Sequence, residues 1–182
     1  MTRPKLIVVS GHAGSGKTTL AHEIARCIGC PAICRDEIKE GMVHGDDDFA
    51  AAVDDPLTRR TFGLFFEVLA LLLRNGVTVV AEAAFQDHLW RPNLAPLTEY
   101  ADLRVVRCVV DADVARHRIV DRADRTASRR AHADDDLLER LDTGAYSLAE
   151  FVPISLEVPT IRVDTTDGYS PALATVVGFV TA

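Results

Sequence analysis

Apolar positions in this chain recur with a strand-like and a helix-like pattern in turn, and that alternation lays out an α/β protein. Lys5-Leu-Ile-Val-Val-Ser10 is a short apolar run with the length of a buried strand. Residues 19–28 read as a helix, with Leu20, Ile24, Cys27 and Ile28 on one face and His22, Glu23 and Arg26 on the other. Gly29 and Pro31 mark a turn into a short second strand, Ala32-Ile-Cys34. Residues 42–53 read as irregular, with Asp46-Asp47-Asp48 as a solvated acidic run. A long helix starts with Asp55 as its cap and Pro56 in its first position, and Asn75-Gly76 stops it after Arg74. It is apolar on more than one face (Phe62, Phe65, Phe66, Leu69, Leu72 and Leu73, then Leu64, Val68 and Leu71). Burial between the sheet and another element is expected, or a share in a subunit contact.

Residues 77–81 read as an interior strand ending at Glu82. A loop over 83–90 should follow, with Pro92 restarting the chain toward a helix that ends near Tyr100. Residues 103–110 give a fourth strand, and Asp111 and Asp113 cap the next helix. A short helix carries Leu137, Leu138 and Leu141, residues 160–164 form the last strand, and residues 171–180 a closing helix. Five strands alternating with helices predict a parallel sheet covered on both faces.

One stretch changes this picture from architecture to chemistry. Gly11-His12-Ala13-Gly14-Ser15-Gly16-Lys17-Thr18 lies between the first strand and the first helix and fits G-x-x-x-x-G-K-[ST]. The glycines let successive backbone N–H groups turn inward around a phosphate, and the helix N-terminus adds unsatisfied donors and partial positive charge. Lys17 would bridge β- and γ-phosphates, and the Thr18 hydroxyl would ligate Mg²⁺. His12, Ala13, Gly14, Ser15, Gly16, Lys17, Thr18 and Thr19 are therefore the expected binding set for ATP or GTP. In open α/β sheets ligands bind beyond the carboxyl ends of strands, which is where the second strand delivers Arg35, Asp36 and Lys39. Glu82 stands at another such end, facing either Mg²⁺-bound water or an acceptor. Gln86, Trp90 and Arg91 follow in the loop that would wall the acceptor, with ring stacking and core packing both open for Trp90.

The 182 residues are 48% hydrophobic and 26% charged, which fits a single domain over 1–182. A net charge of −7 disfavours long nucleic acid as a partner. Against that acidic background, Arg116, Arg118, Arg122, Arg125, Arg129 and Arg130 form one basic cluster, read as a lid over roughly 116–142 that faces phosphates. The most apolar stretch, 62–73, is too short to span a bilayer and contains Glu67. No secretory signal is read either, so a cytoplasmic protein is expected. Cys27-x-x-Cys30 has metal-ligand spacing, but no second pair completes it, and reduced thiols are the better reading.

Loop, lid and strand count together resemble the nucleotide-kinase-like branch of P-loop proteins. Nearest are the small hydroxyl kinases, such as phage-type polynucleotide 5′-kinases and chloramphenicol phosphotransferases. The resemblance implies a five-stranded parallel sheet in the order 2-3-1-4-5. Arg35-Asp36 looks like the pair that supplies the general base of the phage-type kinases, which implies that role for Asp36. Arg118-Ile-Val-Asp-Arg122 is similar to the Arg-x-x-x-Arg of adenylate-kinase-type lids, implying Arg118 over the nucleotide base and Arg122 on the transferring phosphate. Two positions depart from the pattern. Lys39 replaces an arginine that grips the acceptor's phosphate, and Glu82 replaces the usual Asp.

The function these expectations compose is a Mg²⁺-dependent kinase acting on a small-molecule hydroxyl, with Lys17, Asp36 and Arg122 as the catalytic set. An antibiotic, nucleoside-like or otherwise, is the leading acceptor. A polynucleotide or nucleotide 5′-hydroxyl kinase is the first rival, and a regulatory ATPase that hydrolyses without an acceptor is the second.

Overall fold

A parallel sheet needs cover on both faces, and the residues of its central strand sort themselves to meet that need. The computed structural model describes residues 3–44, 48, 49, 51, 55–125, 131, 132, 134–145 and 147–182. Strand β1 (Lys5–Ser10) sends Leu6 and Val8 to one face and Ile7 and Val9 to the other. Strands β2 (Ala32–Cys34), β3 (Val79–Glu82), β4 (Asp102–Val109) and β5 (Thr160–Asp164) complete a five-stranded sheet in the order β2-β3-β1-β4-β5. Every pairing is parallel, with Val9 opposite Glu82 and Cys34 also opposite Glu82. This is the P-loop NTPase order that the resemblance implied.

Helices α1 (Lys17–Ile28) and α7 (Leu173–Thr181) cover the Ile7/Val9 face with Leu20, Ile24, Val176 and Val180. Helix α3 (Pro56–Arg74) and helix α4 (Asp87–Leu94) cover the Leu6/Val8 face with Phe65, Leu69, Leu73, Trp90 and Leu94. Helix α2 (Arg35–Met42) follows β2 without an intervening loop, and α5 (Ala112–Arg125) and α6 (Asp134–Asp142) follow β4. Asp111 caps α5, its carboxylate accepting from the backbone N–H groups of Asp113 and Val114. Among the described residues no helix is long and apolar enough to cross a membrane.

The structure corrects the sequence pattern in three places. Residues 83–90 are not all loop: α4 begins at Asp87 and contains Pro92. A proline there forfeits one helical hydrogen bond, but Trp90 and Leu94, four residues apart, both bury against the core. The Asp87 carboxylate also accepts two 2.8 Å bonds from Ser155 and so ties the first turn of α4 to a neighbouring segment. Secondly, Cys27 is exposed, because α1 buries Leu20, Ala21, Ile24 and Ala25. At about 100° per residue that arc centres about 90° away from position 27. Thirdly, among the described residues the second apolar face of α3 is only partly covered. Leu64 and Val68 are half-buried and Leu71 is 63% exposed. Of the acidic run, Asp46 and Asp47 lie outside the described residues, as do Arg129, Arg130 and the side chain of Arg125.

One interior ion pair fastens α2 to the start of α3. Lys39 is 3% exposed and its Nζ donates to Asp55 Oδ2 at 2.7 Å and to Thr58 Oγ1 at 2.9 Å. Asp55 in turn caps α3, its Oδ1 accepting from the Thr58 N–H at 2.7 Å. Burial works against the ionised Asp55, but the Lys39 and Thr58 bonds outweigh it and hold the carboxyl below its usual range. Removing Asp55 loses a helix cap and strands a buried ammonium, so Asp55→Ala should cost about 3–5 kcal/mol in urea unfolding. Adding Lys39→Met to Asp55→Ala should recover part of that loss. A depressed folded-state pKa stabilises above the unfolded value of about 3.9. The advantage of wild type over Asp55→Asn should therefore hold at neutral pH and vanish as pH falls through the folded-state value.

Candidate active site

The loop between β1 and α1 takes the shape its glycines permit. Gly14 and Gly16 adopt φ of 75° and 70°, left-handed values that side chains rarely accept. A Cβ on Gly14 would also overlap the carbonyl oxygen of Ala115, so this loop packs tightly on α5. Gly16 is the residue at which α1 starts, with Lys17 and Thr18 in the helix's first turn. His12 turns its Nδ1 to the Ala13 carbonyl at 2.7 Å and its ring edge to Phe151. Burial is the main cause that pushes the His12 imidazole below its usual value, with the charge of Lys17 adding to it.

The register of the sheet puts Glu82 directly beside this loop. Glu82 is 2% exposed, its Oε2 accepting from Thr18 Oγ1 at 3.2 Å and its Oε1 lying 3.7 Å from Lys17 Nζ. Burial pushes the Glu82 carboxyl up; Lys17 opposes this, and the negative charge of Asp36 reinforces it. The Thr18 hydroxyl and a carboxylate, side by side next to a buried ammonium, are the hard oxygen donors that Mg²⁺ takes, so the residues present fit that ion.

Asp36 opens α2 and lines the same cleft, about 390 Å³, as Gly14, Gly16, Lys17, Thr18, Thr19, Arg118 and Arg122. Burial alone would raise its carboxyl, but the charges of His132, Lys17 and Arg35 outweigh that and hold it well below the usual carboxylate range. Arg35 donates to Asp36 Oδ1 at 2.9 Å and to the Thr58 carbonyl at 3.2 Å, fixing the start of α2 against α3. Arg118 is held mostly by backbone: it donates to the carbonyls of Gly14, Thr165 and Thr166 and to the Thr165 hydroxyl. With Thr19, Thr165, Gly168 and Tyr169 it also walls an adjoining recess.

The remaining acceptor-side expectations do not converge on this cleft. Trp90 sits in an aromatic cluster, 4.8 Å between centroids from both Phe62 and Phe85, and is core rather than a stacking surface. Lys39 is committed to Asp55. Gln86 precedes α4 and its carbonyl accepts from the Trp90 N–H, while Arg91 is exposed near Asp87. Three unforeseen residues do belong to the site. Glu37 and Glu40 line the cleft, and His132 Nε2 meets Glu40 Oε1 at 3.1 Å. Positions 36, 37 and 40 share one helix face by their spacing, which was readable. His132, 92 residues from Glu40 along the chain, carried no such signal.

A family model described as an AAA domain matches residues 6–143, more than half the chain and the whole of the cleft except the recess beside β5. An uncharacterised protein of Mycobacterium tuberculosis (strain ATCC 25618 / H37Rv) is 30% identical over 160 residues, covering 76% of this chain. The chain spans about a third of that relative's length, 32%. A candidate kinase of Chloroflexus aurantiacus J-10-fl superposes with a TM-score of 0.85 at 26% identity, covering 99% of this chain and 98% of the other. A gluconokinase of Sinorhizobium meliloti 1021 shares the fold at a TM-score of 0.58 and 21% identity, over 100% and 94% of the two chains. The chain belongs to the AAA domain family, with a P-loop kinase-like fold.

Proposed function

We propose that this chain is a kinase that moves the γ-phosphate of ATP or GTP to a hydroxyl of a small molecule, residues 1–182 working as one P-loop unit. The observation that carries the reading is that Asp36, in the first turn of the helix that follows β2, lines the same cleft as Lys17 and Thr18, in the first turn of the helix that follows the glycine loop. A nucleotide-holding loop alone requires no such acid. Mg²⁺ bound through Thr18, with Glu82 holding its water, would supply neutralisation of charge on the β- and γ-oxygens. Lys17 would shift from Glu82 toward the phosphates, and the chain's own groups do the rest.

The cations around Asp36 favour its charged form, so its first task is to aim the hydroxyl. Bound phosphates would draw Lys17 away and raise Asp36, which improves it as a proton acceptor at the moment of transfer. In a loose transition state the hydroxyl proton leaves late, so orientation matters more than basicity. Arg122, which lines the cleft from α5, would meet charge on the transferring group, and Arg118 would brace the loop while covering the base. Residues 116–142, carrying both arginines, would act as the lid that excludes water.

The acceptor side supports a neutral or weakly charged alcohol. Lys39, the cation placed to grip an acceptor phosphate, is buried against Asp55, which weakens the polynucleotide reading. The antibiotic acceptor stays within this hydroxyl class, and no residue lining the cleft selects it over a sugar.

Replacement of Asp36 by Asn should lower phosphoryl transfer about 10²–10⁴-fold while leaving nucleotide affinity in equilibrium titration unchanged. A regulatory ATPase would lose neither. Lys17→Ala should weaken nucleotide binding and transfer together. A panel of sugars, nucleosides, hydroxylated antibiotics and 5′-hydroxyl oligonucleotides, scored by stimulated release of nucleoside diphosphate, should find its best substrates among uncharged alcohols. Preference for the oligonucleotides would refute that part.

A further inference from the structure

At the edge of the cleft, three side chains of mixed donor type converge from three consecutive elements, and one of them, Glu37, also lines the cleft. His22 projects from α1, Cys34 ends β2, and Glu37 lies in the first turn of α2. Their ligand atoms all lie within 4.8 Å of one another. His22 Nε2 is 2.6 Å from Glu37 Oε1 and 3.6 Å from Cys34 Sγ. We infer that His22, Cys34 and Glu37 form a binding site for a thiophilic divalent cation of the Zn²⁺ class, distinct from the Mg²⁺ position at Thr18.

Geometry is the main support. With Zn–S of ~2.3 Å and Zn–N of ~2.0 Å, a tetrahedral angle sets the S···N edge at ~3.5 Å. The separation of Cys34 Sγ and His22 Nε2 is 3.6 Å, so that edge is already formed. The corresponding N···O edge is ~3.3 Å, so the 2.6 Å separation of His22 Nε2 and Glu37 Oε1 has to open by ~0.7 Å. The pair has room to do so, because His22 and Glu37 are 41% and 46% exposed and open the site to solvent. Cys34 is 2% exposed and supplies a fixed inner ligand.

The donor set selects the metal. One imidazole, one thiolate and one carboxylate suit Zn²⁺ or Co²⁺ and are poor for Mg²⁺, which prefers oxygen throughout. Three protein ligands leave a fourth position for water, so the site is open rather than closed. Burial and then the charges of Glu82 and Glu37 push the Cys34 thiol up. Those same carboxylates favour a cation. Metal entry forms the metal–sulfur bond as the S–H bond breaks, and the proton leaves to solvent.

Because Cys27-x-x-Cys30 offers competing thiols, the test must separate the two. The full chain is titrated with Co²⁺ in excess Mg²⁺, and thiolate-to-cobalt charge transfer and tetrahedral ligand-field absorption are recorded. The inference predicts one Co²⁺ per chain with both features, displaced by Zn²⁺. Cys34→Ser and His22→Ala should each abolish the charge-transfer band or shift the ligand field away from tetrahedral. The Cys27→Ser/Cys30→Ser double variant should leave the spectrum unchanged. Cys34→Ser is nearly isosteric and His22 lies at the surface, so circular dichroism should confirm that both variants fold. No tetrahedral spectrum, or one that survives Cys34→Ser and disappears with Cys27 and Cys30, would overturn it. The readout is independent of phosphoryl transfer, so the assignment stands or falls apart from the kinase reading.

Discussion

A carboxylate removed from water persists only beside a cation or good donors, and the contact of Glu82 with Lys17 and Thr18 is the constraint around which this structure is arranged. The three groups come from the end of β3 and the first turn of α1, and they meet because β1 and β3 pair with Val9 opposite Glu82. A slip of one residue in that pairing would turn Glu82 to the other face of the sheet. It would also exchange Val79 and Ala81 with Val80 between the two helical layers. Core packing thus enforces the register that builds the cleft, and the site inherits its precision from apolar residues that never touch a ligand.

The second support is α2. Its first residue follows β2 directly, and Arg35 and Lys39 tie it to α3 on one side while Asp36 looks into the cleft on the other. Lys39 in this way serves the site from inside the protein, as a fastening rather than as a contact to an acceptor. Such a buried pair adds little net stability compared with a well-packed apolar one, but it allows only one placement of the helix. Helix α5 adds two arginines to the cleft, Arg118 bound to the backbone of the glycine loop and Arg122 lining the cleft.

Much of this was readable from the residues. The first strand, its glycine loop and the ends of β2 and β3 were legible because local rules fix them: apolar runs, glycine at left-handed positions, and strand ends as ligand sites. Five strands with helical connections gave a parallel sheet, and its order was implied only by the resemblance that the glycine loop and lid carry. Legibility failed where distant contacts decide. Trp90 has the same composition cues as a stacking residue, yet Phe62, Phe65, Phe66 and Phe85 claim it. Lys39 looks like an exposed cation until Asp55, sixteen positions on, is found beside it. Helix α4 contains a proline, so local propensity argued against what burial of Trp90 and Leu94 achieves. His132 acts on Asp36 from within the expected lid, whose arginines and not this histidine carried the functional signal.

The central claim is that an acid at the end of β2 aims an alcohol at the terminal phosphorus held over β1. A crystal structure with a non-hydrolysable ATP analogue, Mg²⁺ and the best acceptor from the panel tests it most directly. The account predicts the acceptor oxygen ~3–3.5 Å from the γ-phosphorus, in line with the bond to be broken. It also predicts that oxygen within ~2.6–3.2 Å of an Asp36 carboxylate oxygen. An acceptor seated elsewhere, or one whose hydroxyl is oriented by another side chain while Asp36 contacts only protein, would contradict it.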